Sequence, residues 1–284
     1  MKRDGYAIGL RAAMAVGYAF LYVPLVCVVV YSFNASRLVT VWGGFSTKWY
    51  GALFANGPIL EAARRSFAIA AMAATGAVLI GTLAALALSR KPPPRGQGAL
   101  SLLVAAPLVM PEVILGLSAL LLFVGMQQAV GWPAGRGMAT IAIAHVTFCS
   151  CYATVVVRAR LAQLDPALGE AAMDLGARPL AVFFRITLPL IAPALVAGWL
   201  LSFTLSLDDL VVASFTSGPG SSTLPMLIYS KVKLGVTPEM NALATIVIGV
   251  VAVFVAIAAW MLRQREPVAH DSVARNVRPG AGSK

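Results

Sequence analysis

Acidic side chains occur inside the hydrophobic part of this chain, where charge is rare. Glu112 follows Pro111 within one apolar run, and the pair Asp208 and Asp209 lies within another. A charged side chain at the centre of a membrane helix costs about 2.5–3.5 kcal/mol on insertion scales, so such residues normally face a cavity or a partner. Carboxylates along a passage would stabilise a cation as it loses water, and two separated acidic positions suit the two ammonium groups of a diamine.

The depth of these carboxylates follows from the rise of a helix. At about 1.5 Å per residue, Glu112 lies about 20 Å along a span that begins at Ala99, well inside a bilayer. Asp208 lies about 27 Å along a span that begins at Leu190, toward its external end. The alternatives are an interhelical hydrogen bond for Glu112 and an ordinary interface position for the aspartates. Nearby aromatic residues are candidates for cation–π contacts, with plain packing as the alternative for each: Trp199, Tyr152 and Tyr229.

A polar stretch, Leu164–Pro189, separates hydrophobic segments and contains residues that typically begin and end two short helices. Asp165 can cap the first helix, and Pro166 suits its first turn because the missing N–H of proline would be unpaired there anyway. Gly176 can adopt the left-handed conformation that closes a helix, and Pro179 suits the first turn of the next one. The stretch therefore predicts a helix, a glycine turn and a second helix that runs toward its end.

The first of these helices carries two acids on one face. Glu170 and Asp174 are four residues apart, while Ala171 and Ala172 permit close approach of another surface. This pattern indicates a rigid docking element that presents two carboxylates. A solvated hairpin that merely joins two spans is the structural alternative.

Helices must position these groups, because the chain has the composition of a membrane protein. Of its 284 residues, 59% are hydrophobic and 12% are charged, and the mean hydropathy is +0.83. An average soluble domain has about 25% charged residues. Backbone groups in lipid must be satisfied within each segment, and the apolar runs are too continuous for a barrel. We therefore expect an all-α polytopic protein with six membrane-spanning helices at Ala12–Tyr31, Ser66–Ser89, Ala99–Gly125, Met138–Val157, Leu190–Phe215 and Ala242–Leu262.

The distribution of charge predicts the orientation of these helices. The net charge is +11, and Lys and Arg concentrate at both ends of the chain, in 90–95 and in the polar stretch. This bias fits the positive-inside rule with both termini cytoplasmic, and it disfavours a nucleic-acid-binding face. The first apolar run is about 20 residues long, which exceeds the core of a signal peptide, so we expect an uncleaved first span.

We divide the chain into three parts. Residues 1–65 hold the cytoplasmic amino-terminal end, the first span and an external segment. Residues 66–262 hold five further spans and the loop 158–189 that contains the polar stretch. Residues 263–284 form a polar cytoplasmic tail that we expect to be disordered.

Several other chemistries are not expected from the sequence. His145 and Cys149 share a helix face, but Cys151 is turned about 200° away from Cys149, so we expect no metal site. The chain has no G-x-x-x-x-G-K-[ST] phosphate loop, and we expect neither ATP binding nor any cofactor.

The polar stretch resembles the cytoplasmic "EAA" loop of the permeases of type I ABC importers. The matching residues are Glu170, Ala171, Ala172, Gly176, Ile186, Leu188 and Pro189. Five further strings, at 198–201, 205–211, 213–215, 217–220 and 223–226, resemble the permeases of polyamine importers in particular. The resemblance extends over residues 12–262.

The resemblance implies a multi-pass permease subunit in a bacterial inner membrane, with no ATPase activity of its own. The loop would insert into a groove of a cytoplasmic ATPase and couple nucleotide-driven closure to movement of the membrane helices. Asp174 is counted among the residues of this coupling loop. The implied partners are a second, related permease, two ATPase subunits and a periplasmic binding protein. The implied cargo is a polyamine, foremost putrescine, and the predicted substrate pathway consists of Glu112, Asp208, Asp209, Trp199 and Tyr229.

Three other functions remain as alternatives. The first is an importer for another small cationic or amino-containing solute, such as an opine or an aminophosphonate. The second is a secondary transporter or channel driven by an ion gradient, which would work without partner ATPases. The third is an intramembrane enzyme, for which the sequence assembles no catalytic dyad.

Overall fold

The computed structural model describes residues 2–38, 41–90, 95–235 and 237–263. This part of the chain is helical, with one isolated antiparallel bridge between Asn34 and Phe45, which confirms the all-α prediction. The helices are α1 (Lys2–Tyr31), α2 (Lys48–Ala55), α3 (Gly57–Ser89), α4 (Gln97–Val109), α5 (Glu112–Val130), α6 (Met138–Leu161), α7 (Ala167–Asp174), α8 (Pro179–Val182), α9 (Leu188–Leu207), α10 (Val211–Thr216), α11 (Leu224–Leu234) and α12 (Pro238–Arg263). A π-helical segment, Phe183–Thr187, joins α8 to α9. The predicted tail 263–284 lies, apart from its first residue, outside the described residues.

Each predicted span falls mostly on helical residues. The helical stretches long and apolar enough to cross a membrane are Gly9–Tyr31, Gly57–Ser89, Glu112–Val130, Met138–Leu161 and Pro179–Leu207. Shorter apolar stretches occur at Gln97–Val109 and Pro238–Val253. Two of the predicted spans, the third and the fifth, are wrong as continuous helices.

The third predicted span is broken between α4 and α5. Met110 and Pro111 have extended backbone, with ψ values of 138° and 136°. Pro111 has no N–H and its ring would clash with a carbonyl one turn earlier, so α4 cannot pass through this position unchanged. Glu112 is consequently the first residue of a new helix rather than the middle of a long one.

The fifth predicted span ends at Leu207, and a separate short helix, α10, follows after Asp208–Leu210. The side chain of Asp209 accepts hydrogen bonds from the backbone N–H groups of Val212 and Ala213, at 3.3 and 2.7 Å. A carboxylate in this position satisfies donors that the first turn of a helix leaves unpaired. The acid that the sequence placed within a span therefore lies just before a new helix and caps its first turn.

The described residues fall into two compact units, one within 2–53 and 237–263 and the other within 54–235. In the first unit, Asn34 organises the segment after α1. Its buried side chain accepts from the N–H of Gly43 at 2.8 Å and donates to the carbonyl of Val41 at 2.8 Å. The indole of Trp49 donates to the Asn34 carbonyl at 2.7 Å, so this segment has a fixed structure of its own.

In the second unit, α3 packs against both α6 and α9. The contact face of α3 consists of small buried residues at helical spacing: Ala70, Ala73, Ala74, Ala77, Gly81 and Ala85. Small residues allow helix backbones in a membrane to approach closely, and van der Waals packing then holds them together. A Cβ atom at Gly81 would lie 2.9 Å from the Ser150 carbonyl oxygen and 2.8 Å from the Cβ of Ala153, so α3 and α6 touch there.

We expect Gly81→Ala to destabilise the protein. The added methyl group would meet backbone atoms of α6 that cannot move aside as a flexible side chain does, and overpacking of this kind costs about 1–3 kcal/mol. Gly125→Ala on α5 is the matched control, because a Cβ at Gly125 meets no atom within 4 Å. Thermal unfolding in detergent checks the pair, and equal melting temperatures would contradict the close contact.

Candidate functional site

A cavity of about 470 Å³ lies where the two broken spans of the second unit meet. The α4–α5 break contributes Glu112, the α9–α10 break contributes Asp208 and Asp209, and α6 contributes Phe148 and Tyr152. No Lys or Arg is among the described residues that line it. The structure thus brings together all the acids that the sequence predicts for a substrate pathway.

The α4–α5 break supplies two kinds of acceptor to this cavity. Glu112 is exposed in the first turn of α5, where the positive end of the helix dipole favours a carboxylate. Pro107 also lines the cavity, and its carbonyl lacks the usual helical donor because Pro111 has no N–H. A carboxylate and the carbonyls at the end of a half-helix are groups that bind a cation.

The adjacent aspartates of the α9–α10 break are in different environments. Asp208 is exposed, and the one donor that its carboxylate meets within the described chain is its own backbone N–H. Asp209 is 8% exposed, its two oxygens accept from the first turn of α10, and one of them lies 3.2 Å from Nε2 of His145. The sequence grouped the two as equivalent, whereas the structure leaves only the carboxylate of Asp208 unoccupied by other residues.

The two aromatic residues of the predicted pathway do not line the cavity. Trp199 donates from Nε1 to the Thr75 hydroxyl at 3.1 Å, and its ring stacks on that of Phe203 with centroids 5.1 Å apart. The Tyr229 ring lies on α11 with Nζ of Lys233 at 4.6 Å from its centroid. The structure therefore does not bring these two rings together with the acids at this cavity.

Tyr152 does line the cavity, together with Phe148, which the sequence reasoning missed. A signal for Phe148 was available. It precedes Tyr152 by four residues, so the two side chains share one face of α6.

The second candidate site is the loop 158–189, and its local structure follows the sequence punctuation. Asp165 caps α7 by accepting from the Ala167 N–H at 2.9 Å. Gly176 has φ +86°, its N–H donates to the Met173 carbonyl at 2.9 Å, and the Ala177 N–H donates to the Ala172 carbonyl at 3.0 Å. These two bonds form a Schellman motif, which closes α7 as predicted.

The second helix of the loop does not stop before the next span. α8 continues through the π-helical segment into α9, so Pro179–Leu207 is one helical stretch. Pro189 cannot donate to the carbonyl of Arg185, and its ring would clash with that carbonyl in a regular α-helix. The wider π-helical turn, in which the Leu188 N–H donates to the Phe183 carbonyl, accommodates the proline.

The matching loop residues divide into an exposed and an anchored set. Glu170, Ala171, Asp174 and Gly176 are exposed, and Ala172 is partly buried. Neither carboxylate has an ion-pair or hydrogen-bond partner within the described chain. The same loop exposes several apolar side chains: Leu168, Met173, Leu175, Leu180 and Phe184.

The anchored set ties the loop to the helix core. Leu188 packs against the buried cluster of Ala85, Val157 and Ile191. Ile186 is partly buried and lines a groove of about 320 Å³ that Leu168 and Gly169 of α7 also line, whereas Pro189 is exposed. The loop is therefore anchored to the helix core through α9.

A buried polar cluster beside the cavity was not predicted. The Ser206 hydroxyl lies 2.7 Å from Nδ1 of His145, whose Nε2 approaches Asp209. The residue types are those of a hydrolase triad, but Ser206 is 5% and His145 0% exposed, so a substrate has no access to the hydroxyl. Within the described residues, no His, Cys, Asp and Glu side chains form a group of three that could hold a metal ion.

Comparison with known sequences gives a consistent result. Residues 77–267 match the family model described as "Binding-protein-dependent transport system inner membrane component". The chain is 56% identical, over 89% of each chain, to the putrescine transport system permease protein of Escherichia coli strain K12. It is 46% identical to the spermidine/putrescine transport system permease protein of Haemophilus influenzae, over 84% of this chain and 90% of that one.

Solved structures share the fold at low sequence identity. A bacterial ABC transporter that imports the acidic polysaccharide alginate superposes with a TM-score of 0.73 at 17% identity, over 93% of this chain and 97% of that one. A chain of the MetNI methionine ABC transporter gives 0.60 at 15% identity, over 74% and 98%. The expected type I permease fold is confirmed.

Proposed function

Because the chain belongs to the family of binding-protein-dependent transport system inner membrane components, we propose that it is the permease subunit of an ATP-driven polyamine importer, with putrescine as the foremost cargo. The observation that carries the choice of cargo is the similarity to the putrescine permease over nearly the whole chain. As a member of this family, the chain is a multi-pass membrane protein and not an enzyme.

The cavity supports a cationic cargo independently of the relatives. An ammonium group that leaves water needs replacement acceptors, and Glu112, Asp208 and the Pro107 carbonyl offer them without a competing Lys or Arg. The aromatic faces of Phe148 and Tyr152 add favourable surfaces for a cation. The same cavity would repel an anion such as an aminophosphonate carrying net negative charge.

The other subunits of the proposed transporter are inferred from the family and from the loop 158–189. ATPase subunits hydrolyse ATP, since this chain has no phosphate loop, and a binding protein delivers the cargo. We assign the exposed face around Glu170 and Asp174 to contact with the ATPase, and expect two ATPases and a second, related permease in the complex. The bias of Lys and Arg supports cytoplasmic positions for both termini and for the loop.

Reconstitution tests the proposal. The chain is placed in proteoliposomes with its partner permease, ATPases and binding protein, and uptake of radiolabelled putrescine is followed. We expect uptake that requires hydrolysable ATP and is competed by unlabelled putrescine, and no uptake by this chain alone under an ion gradient. Competition by an opine but not by putrescine would overturn the cargo, and gradient-driven uptake by the isolated chain would overturn the class of transporter.

A further inference from the structure

His145 links α6 to the broken end of α9. Its ring is fully buried, with Nδ1 at 2.7 Å from the Ser206 hydroxyl and Nε2 at 3.2 Å from Oδ2 of Asp209. The α9–α10 break is thus in contact with a buried histidine that does not line the cavity. The edge of this ring also packs against Phe148, a cavity residue, with centroids 5.4 Å apart.

The two ring nitrogens of His145 have different partners. Nδ1 shares a hydrogen bond with the Ser206 hydroxyl, and Nε2 lies 3.2 Å from Oδ2 of Asp209 without a hydrogen bond within the described chain. One side chain of α6 is therefore bonded to the last turn of α9 and lies beside the carboxylate that accepts from the first turn of α10.

Asp209 carries this connection onward to the other break. Its oxygens hold the first turn of α10, and α10 packs directly on α5. A Cβ at Gly116 of α5 would lie 2.6 Å from the Phe215 ring and 3.3 Å from Cα of Val212, so the two helices are in close contact. Glu112 is the first residue of α5. The positions of the α4–α5 break and of the α9–α10 break therefore both depend on the contacts that Asp209 makes with α10 and that α10 makes with α5.

We propose that His145 is a positioning residue which, through Asp209 and Ser206, holds the α9–α10 break so that Asp208 faces the cargo. Asp209, although adjacent in sequence, belongs to this support and does not contact cargo. The assignment of a cargo to the cavity rests on the proposed function. The support itself is a structural relation that exists whatever the cargo is.

Replacements at His145 separate hydrogen bonding from packing. Gln keeps a donor for Asp209 and an acceptor for Ser206, whereas Phe keeps the ring volume and loses both nitrogens. We expect His145→Gln to retain at least about half of the ATP-driven putrescine uptake and His145→Phe to lose about tenfold, because a broken buried network leaves Asp209 uncompensated. Equal uptake by the two variants, high or low, would overturn the proposal.

A second measurement needs no cargo. Cys149 is fully buried one turn after His145, with Sγ at 3.6 Å from the Ser202 carbonyl of α9, so its alkylation reports loosening between α6 and α9. In a Cys27→Ser, Cys151→Ser background, a permeant maleimide should label Cys149 about tenfold faster in Asp209→Asn and in His145→Phe than in the parent. Asp208→Asn, the matched change one residue away, should label at the parent rate.

The labelling result separates the two proposals. Unchanged labelling in both His145→Phe and Asp209→Asn would overturn the positioning role even if putrescine is transported. Faster labelling without any putrescine uptake by the parent complex would support the positioning role and contradict the proposed cargo.

Discussion

We expect Glu170→Arg to reduce ATP-driven uptake severely while the ATPase subunits of the assembled transporter still hydrolyse ATP. Glu170 is exposed in the first turn of α7, has no partner within the described chain and lies in a loop that exposes several apolar side chains. An unpaired acid on such a surface fits a buried contact with another subunit. Reversing its charge leaves a repulsive or unpaired group in that contact, a change that costs about 2–5 kcal/mol and reduces uptake by at least about 30-fold.

Uptake and ATP hydrolysis by the same proteoliposomes check this expectation. Glu61→Arg is the control, since Glu61 is also an exposed helical glutamate but pairs with Arg65 on the surface of α3, where an ion pair is worth about 0–1 kcal/mol. It should transport nearly as the parent does. Normal uptake by Glu170→Arg would remove the loop from the coupling mechanism.

Asp208→Asn is expected to cut putrescine uptake by about tenfold or more without preventing assembly of the complex. The carboxylate is exposed in the cavity, no other described residue donates to it, and a hydrogen bond to a charged group is worth about 1.5–3 kcal/mol. The amide keeps the size of the side chain and removes its charge, so the loss should fall on transport of the cation.

Assembly is measured by co-purification of the partner subunits, beside uptake by the same preparation. Glu61→Gln, which removes a carboxylate far from the cavity lining, should leave both readings unchanged. An Asp208→Asn complex that assembles and transports at the parent rate would exclude Asp208 from the cargo path. A complex that fails to assemble would assign Asp208 a role in folding instead.

The loop 158–189 was predictable because its signals are local. Backbone geometry here is determined within a few residues, by an aspartate before a proline and by a glycine after an acidic, alanine-containing helix. The cap at Asp165 and the left-handed conformation of Gly176 are as expected. The continuation of the second helix through Pro189 was not predictable in the same way. A π-helical turn depends on how α9 is held by the core, which no local pattern states.

The pathway residues illustrate the opposite case. Trp199 and Tyr229 were grouped with the acids because they lie near them in sequence, yet each has a partner of its own elsewhere, Thr75 and Lys233. Phe148 and Tyr152 reach the cavity because α6 packs beside the breaks. Residues that are close in sequence can lie on different faces of a long helix, because an α-helix turns once in about 3.6 residues. Closeness in sequence is therefore a poor guide to closeness in space here.

The sequence by itself determined that this chain is an all-α membrane protein with carboxylates inside its hydrophobic stretches and a helix–turn–helix loop. Hydrophobic length, proline and glycine act over short distances, so those conclusions needed no fold. Only the tertiary structure decided which acid is unoccupied, because Asp208 and Asp209 are chemically identical and adjacent. Both aspartates line the cavity, but Asp209 also accepts from the first turn of α10 and lies beside His145. His145 is 64 positions earlier in the chain and reaches Asp209 only through the packing of α6.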